Sequence, residues 1–148
     1  MLWKPHVTVA AVLERDGKFL LVEEETDDGI RYNQPAGHLE RGESLLAAVV
    51  RETQEETGYD FVPEALLGIH HWHKTAADLT YLRFVFTGRV VGHDAQRPLD
   101  QGIIAAHWLT LAEIHARQSV LRSPMVLRCV EDYLAGRRYP LDVLTHYP

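Results

Sequence analysis

Three glutamates, Glu52, Glu55 and Glu56, fall within residues 44–57, where Leu46, Val49, Val50 and Thr53 recur at helical spacing. At about 100° per residue the three carboxylates share one arc beside the apolar face. Their mutual repulsion opposes the helix, and Glu55 and Glu56 also stand at its C-terminal end, where the backbone dipole disfavours negative charge. A hard divalent cation offsets both penalties, because magnesium takes oxygen ligands and is commonly shared between a few carboxylates and substrate phosphates. Ala48, one turn before Glu52, leaves space above the carboxylates, and the loop holding Gly37 can bring a backbone carbonyl close to them. Arg51 adds a rigid fork able to pair with Glu43 or Glu55 and to orient a carboxylate. An ordinary solvated acidic face is the competing reading, and these three neighbours weaken it.

The elements around this helix follow from pattern. Ser44 can cap its start, and Gly58 suits the left-handed position after its end. Residues 6–14 and 18–24, rich in β-branched and small apolar side chains and joined by Arg15-Asp16-Gly17, predict a β-hairpin. Asp27-Asp28-Gly29 closes the second strand, and an extended piece over 31–35 leads into a glycine-containing loop over 36–42. Residues 65–73, 81–91 and 104–109 read as strands, and 111–116 and 124–135 as helices. The order β-β-α-β-β-β-α-α predicts an α/β fold of the α+β type, a mixed sheet with helices on both faces.

The chain has 148 residues, enough for one domain over 1–148 whose C-terminal helix spans about 124–135. With 46% hydrophobic and 24% charged residues it is expected to be globular. A net charge of −6 argues against non-specific binding to nucleic acid or an anionic membrane, so an anionic substrate needs arginines or a metal. There is neither a membrane-length apolar run nor a signal-peptide layout, so a cytoplasmic location is expected. The single cysteine, Cys129, excludes an intrachain disulfide and reads as a core residue.

Gly37, five residues, Glu43, seven residues, then Arg51-Glu52-Thr53-Gln54-Glu55-Glu56-Thr57-Gly58-Tyr59 resembles the Nudix box. The resemblance implies an α/β/α sandwich around a mixed sheet and a loop-helix-loop that binds Mg2+ or Mn2+ and cleaves a diphosphate linked to another moiety. By position it makes Glu52, Glu55 and Glu56 metal ligands, gives Gly37 a carbonyl ligand, and assigns box stabilisation to Arg51 and Glu43. Thr53 and Tyr59 depart from the family pattern, which prefers aliphatic residues at both places. Thr53 is expected to bond back to a helical carbonyl and tune packing only.

Further segments, among them Asn33-Gln34-Pro35-Ala36-Gly37-His38-Leu39-Glu40 and Leu121-Arg122-Ser123-Pro124, are similar to the NudJ-type phosphatases of that family. That similarity implies hydrolysis of nucleoside tri- and diphosphates and of thiamine or hydroxymethylpyrimidine diphosphate, with release of inorganic phosphate. The runner-up is a Nudix pyrophosphohydrolase acting on dinucleoside polyphosphates, nucleotide sugars or capped RNA. A non-catalytic nucleotide-sensing module is the alternative of another class, and the intact set of carboxylates disfavours it. Either Glu55 or Glu56 could take the proton of the attacking water. The partner is then a small di- or triphosphate, and the chain a monomer or homodimer.

Substrate contacts are less sharply marked. Arg83, on a strand pattern with Tyr81 and Val85, is a candidate phosphate clamp, and Tyr32 and Trp72 are candidates to stack on a pyrimidine or purine ring. Each is also compatible with an ordinary surface or core position. His70, His71 and His73 suggest zinc, but no further nearby ligand completes a tetrahedral set. Glu23, Glu24 and Glu25 most simply form a solvated strand edge, the alternative being that one of them faces the metal site. The glycine spacing of residues 37–44 resembles a P-loop, yet Glu43 stands where that motif needs lysine.

Overall fold

A computed structural model describes residues 2–148. The turn at residues 15–17 makes a hairpin only two residues deep, in which β2 (Glu14–Arg15) pairs with the start of β3 (Lys18–Thr26). The longer hairpin expected over 6–24 does not form. A strand has two edges, and those of β1 (His6–Val12) are taken by β5 (Ala36–His38), antiparallel, and by β7 (Leu79–His93), parallel. The chain therefore changes sheets at Leu13, which is buried and whose carbonyl accepts from the Leu20 amide at 3.0 Å.

Two four-stranded sheets result. One runs β5-β1-β7-β6, with β6 covering Tyr59–Lys74, and is mixed because β1 and β7 are parallel. The other is antiparallel and centred on β3, flanked by β2 and β4 (Gly29–Asn33) and by β8 (Ile103–Thr110). Strand β6 starts directly after the acidic helix, six positions before the expected start at residue 65. Its alternation is interrupted by register shifts between Asp60 and Phe61, Pro63 and Ala65, and Leu66 and Gly68, so only its second half carries a clean period of two.

Three helices cover the sheets: α1 (Leu45–Thr57), α2 (Leu111–Ala116) and α3 (Met125–Leu134). Alternation sends Val9, Ala11, Leu20, Leu66 and Phe86 toward Ala48 and Val49 of α1. It sends Val12, Phe19, Leu21, Leu67 and Val85 toward Ile114 of α2 and Val126, Cys129 and Val130 of α3. This is the α/β/α arrangement expected, and Cys129 is core, as its composition suggested. No helix is long and apolar enough to cross a membrane among the described residues.

Candidate active site

Ser44 caps α1 by accepting from the Ala47 amide at 3.0 Å, and Gly58 ends it with φ at 74°. Thr53 Oγ1 donates back to the Val49 carbonyl at 2.8 Å, which satisfies its hydroxyl inside the core. These ends fix the helix so that its acidic arc lies against β5. There the Ala36 amide donates to Glu56 Oε1 at 2.9 Å. Gly37 sits directly over Glu52, and a Cβ at that position would land on the Glu52 carboxylate. Only glycine leaves room for that carboxylate.

Arg51 holds the cluster from its outer side. Its Nε and Nη2 donate to both oxygens of Glu43, at 3.0 and 2.7 Å, while Nη1 donates to Glu52 Oε1 at 2.8 Å and Glu55 Oε2 at 3.1 Å. Nη2 also reaches the His38 carbonyl at 3.1 Å, and Glu43 Oε1 accepts from the Glu40 amide at 2.8 Å. One guanidinium thus ties α1 to the loop after β5 and offsets the repulsion among three carboxylates. Its hydrogen bonds hold the Glu43 carboxyl below its usual range and raise the basicity of Arg51. In Arg51→Met, folding stability is expected to fall by about 2 kcal/mol in urea denaturation, with Arg51→Lys intermediate because it keeps the charge and loses the fork.

Oxygens of Glu52, Glu55 and Asp100 lie within 4.8 Å of one another, the one metal-competent cluster among the described residues. The sequence reading missed Asp100, which lies far from the helix in the chain. Its amide donates to the Glu55 carbonyl at 2.9 Å, so the backbone delivers it to the last turn of α1. Glu56 stands apart from these three, buried beneath Ala36. Burial pushes its carboxyl up to about 9, with the charges of Glu24, Glu52 and Asp100 adding to the shift and the Ala36 amide opposing it. Glu52 is likewise raised by burial, against the pull of Arg51. An all-carboxylate donor set, with Gly37 leaving room for one member, fits a hard divalent cation.

The cluster borders a cleft of about 440 Å3 lined on one side by Glu52 and Glu56 and elsewhere by Trp72, Arg83 and Arg122. Trp72 is half-buried and stacks on Tyr81, with centroids 5.8 Å apart and 20° between planes. Arg83 lies in the floor at 2% exposure. Its donors go to Asn33 Oδ1 at 2.9 Å, Gln34 Oε1 at 3.2 Å and Cys129 Sγ at 3.8 Å, with no carboxylate in ion-pair range among the described residues. Gln34 is fixed in turn by donating to the Val126 carbonyl at 2.7 Å.

Tyr32 does not line the cleft. Alternation along β4 turns Asn33 toward Arg83 and turns Tyr32 away, where its ring packs under Arg117, 5.3 Å from the centroid, and beside His107. Glu24 is half-buried, lines the cleft and accepts from Arg122 at 2.7 Å, so one of the three edge glutamates does reach the site. The period of two identified its face but not what that face meets. The histidines separate: His70 approaches Asp132 at 3.5 Å, while His73 contacts Asp78 and Thr80. They form no zinc set among the described residues.

The sequence pattern of the NUDIX domain matches residues 4–128, and the chain belongs to the Nudix family. Phosphatase NudJ of Escherichia coli (strain K12) is 42% identical over 144 residues, 97% of this chain and 92% of its own length. Phosphatase NudJ of Shigella sonnei (strain Ss046) is equally similar. A NUDIX hydrolase structure from Nitrosomonas europaea shares 55% identity, with a TM-score of 0.95 over 97% of this chain and 98% of its own. The MutT protein structure from Methanosarcina mazei Go1, at 26% identity, has a TM-score of 0.72 over 93% of this chain. The resemblance to NudJ-type phosphatases is thereby borne out, and the chain is a Nudix phosphohydrolase acting on diphosphates.

Proposed function

We propose that this single Nudix domain hydrolyses nucleoside tri- and diphosphates and thiamine or hydroxymethylpyrimidine diphosphate, releasing inorganic phosphate, as a cytoplasmic monomer or homodimer. The observation that carries the reading is one small cleft lined by Glu52, Glu56 and three cations, Lys74, Arg83 and Arg122, with Glu55 and Asp100 clustered against Glu52 at its border. Such a cleft accepts a short phosphate chain with one ring, and its cations oppose the net charge of −6. The NudJ relatives are phosphatases by name, which agrees with terminal phosphate release.

Glu52 and Glu55, with Asp100, would hold Mg2+ or Mn2+, and Glu56 and the Gly37 carbonyl complete the set implied by the box. The bound cation would neutralise phosphate charge and favour ionisation of water. The chain's own residues do the rest. Arg51 orients Glu52 and Glu55, and Gly37 leaves the Glu52 carboxylate its place. Arg83 supplies a positive field from the cleft floor rather than a free fork, since three of its donors are already engaged. The proton of the attacking water goes to Glu55, half-buried and bonded to Arg51 through Oε2, or to Glu56.

A second groove of about 470 Å3 shares Trp72, Lys74 and Arg122 with the cleft, and it favours the runner-up, a pyrophosphohydrolase of larger substrates such as dinucleoside polyphosphates. A panel of nucleoside di- and triphosphates, thiamine diphosphate and a dinucleoside polyphosphate separates the two. Highest kcat/KM is expected on the first three groups; a preference for the dinucleoside would transfer the assignment to the runner-up. Trp72→Ala is expected to raise KM about tenfold with little change in kcat, as loss of one ring-stacking contact does.

A further inference from the structure

Tyr59 departs from the aliphatic residue of the Nudix box, and nothing in the carboxylate cluster accounts for it. Its buried ring lies flat on His93, with centroids 3.8 Å apart and 8° between planes. Tyr59 Oη accepts from Trp108 Nε1 at 2.9 Å and from Arg15 Nη2 at 3.4 Å, so β8 and β2 of the other sheet fix the ring. His93 is the last residue of β7 and precedes the loop that returns to Asp100. Residues 94–98 of that loop are all exposed, so it has little packing of its own beyond a turn closed on Asp94, whose carbonyl accepts from the Arg97 amide at 3.2 Å and whose Oδ1 accepts from the Gln96 amide at 3.0 Å. One end is held by the Asp94 amide donating to the Gly58 carbonyl at 2.9 Å, the other by the Asp100 amide on the Glu55 carbonyl at 2.9 Å and by the Gly102 carbonyl accepting from the Glu25 amide at 2.8 Å. Gly58 permits this approach, because a Cβ there would sit 2.6 Å from the Asp94 carbonyl oxygen.

We propose that Tyr59 and His93 form a positioning pair: their stack sets where the 94–102 loop leaves the sheet, and so how far Asp100 reaches toward Glu52 and Glu55. The proposal rests on reading those three carboxylates as the metal site. His93 is exposed on its far side, so truncating it removes a flat surface for Tyr59 and no core volume.

The test is a double-mutant cycle read by Mn2+ binding to the substrate-free full chain, with free Mn2+ followed by its EPR signal. Asp100→Asn is expected to weaken binding about tenfold or more, and His93→Ala several-fold, below the roughly tenfold to hundredfold loss seen when a group bonded directly to a metal ligand is removed. The double variant should bind no more weakly than Asp100→Asn alone, because the stack acts through Asp100. His93→Phe, which keeps a flat ring on Tyr59, should restore wild-type affinity; if His93→Ala fails to fold, His93→Leu takes its place in the cycle. Unchanged affinity in the truncation, or losses that add in the double variant, overturns the proposal. Unchanged affinity in Asp100→Asn also overturns it. A parallel Glu52→Gln variant then shows whether the metal reading itself survives: loss of Mn2+ binding retains it, and wild-type binding removes it.

Discussion

In a Glu56→Gln variant, phosphate release is expected to fall by about a hundredfold to ten-thousandfold while the metal-free protein becomes more stable at alkaline pH. The two effects share a cause. Glu56 is buried, and its carboxyl in the folded chain is pushed up to about 9 from an ordinary 4.5. Between those values the folded state keeps a proton that the unfolded chain has lost, so stability is full below about pH 4.5 and declines as pH rises toward 9. The decline from this one group is at most about 1.4 kcal/mol per pH unit. Glutamine keeps the oxygen that accepts from the Ala36 amide and carries no charge to bury, so the slope should disappear from thermal unfolding measured across pH 5–9. Adding Mg2+ should raise the wild-type Tm more at pH 8 than at pH 6, and raise the variant's less, since cation binding requires the ionised carboxylate. A variant with wild-type turnover would remove Glu56 from the reaction.

Gly37→Ala is expected to lower turnover by about a hundredfold with a stability cost of about 1–3 kcal/mol, the range for forcing one methyl into a packed site. The added Cβ would occupy the space of the Glu52 carboxylate, which must leave and abandon its bond to Arg51 Nη1. Backbone strain plays no part, because Gly37 is in extended strand β5. Gly42→Ala is the informative control. Gly42 has φ at 84° and nothing within 4 Å of its would-be Cβ, so alanine there costs about 1 kcal/mol of left-handed strain and leaves activity near wild type. Comparing kcat and urea stability of the two variants separates a lost carboxylate geometry from a general loss of fold.

Most of this site was legible in the sequence because it is local. Glu52, Glu55, Glu56 and Arg51 lie on one helix, where spacing dictates facing, and the fork of Arg51 could find its partners within one loop. What was not legible comes from distant chain. Asp100 reaches the cluster through a backbone bond to Glu55, and no pattern in residues 94–102 announces it. The sheet assignment of residues 6–12 depends on β7, far along the chain, so a local turn signal suggested the wrong partner. Tyr32 and Asn33 are adjacent, and alternation alone could not say which faces the cleft; Arg83 decides it by taking Asn33 Oδ1. Arg83 itself reads as a free clamp until its buried partners are seen.

The most direct measurement identifies the phosphorus products of ATP and ADP hydrolysis, by 31P NMR, with Mg2+, with chelator, and with the Glu52→Gln variant. Inorganic phosphate from the terminal position is expected as the product in each case, lost with chelator, restored by Mg2+ and nearly absent in the variant. Pyrophosphate with AMP from ATP, or phosphate release that persists in chelator or in Glu52→Gln, would contradict a metal-dependent phosphatase built on this carboxylate cluster.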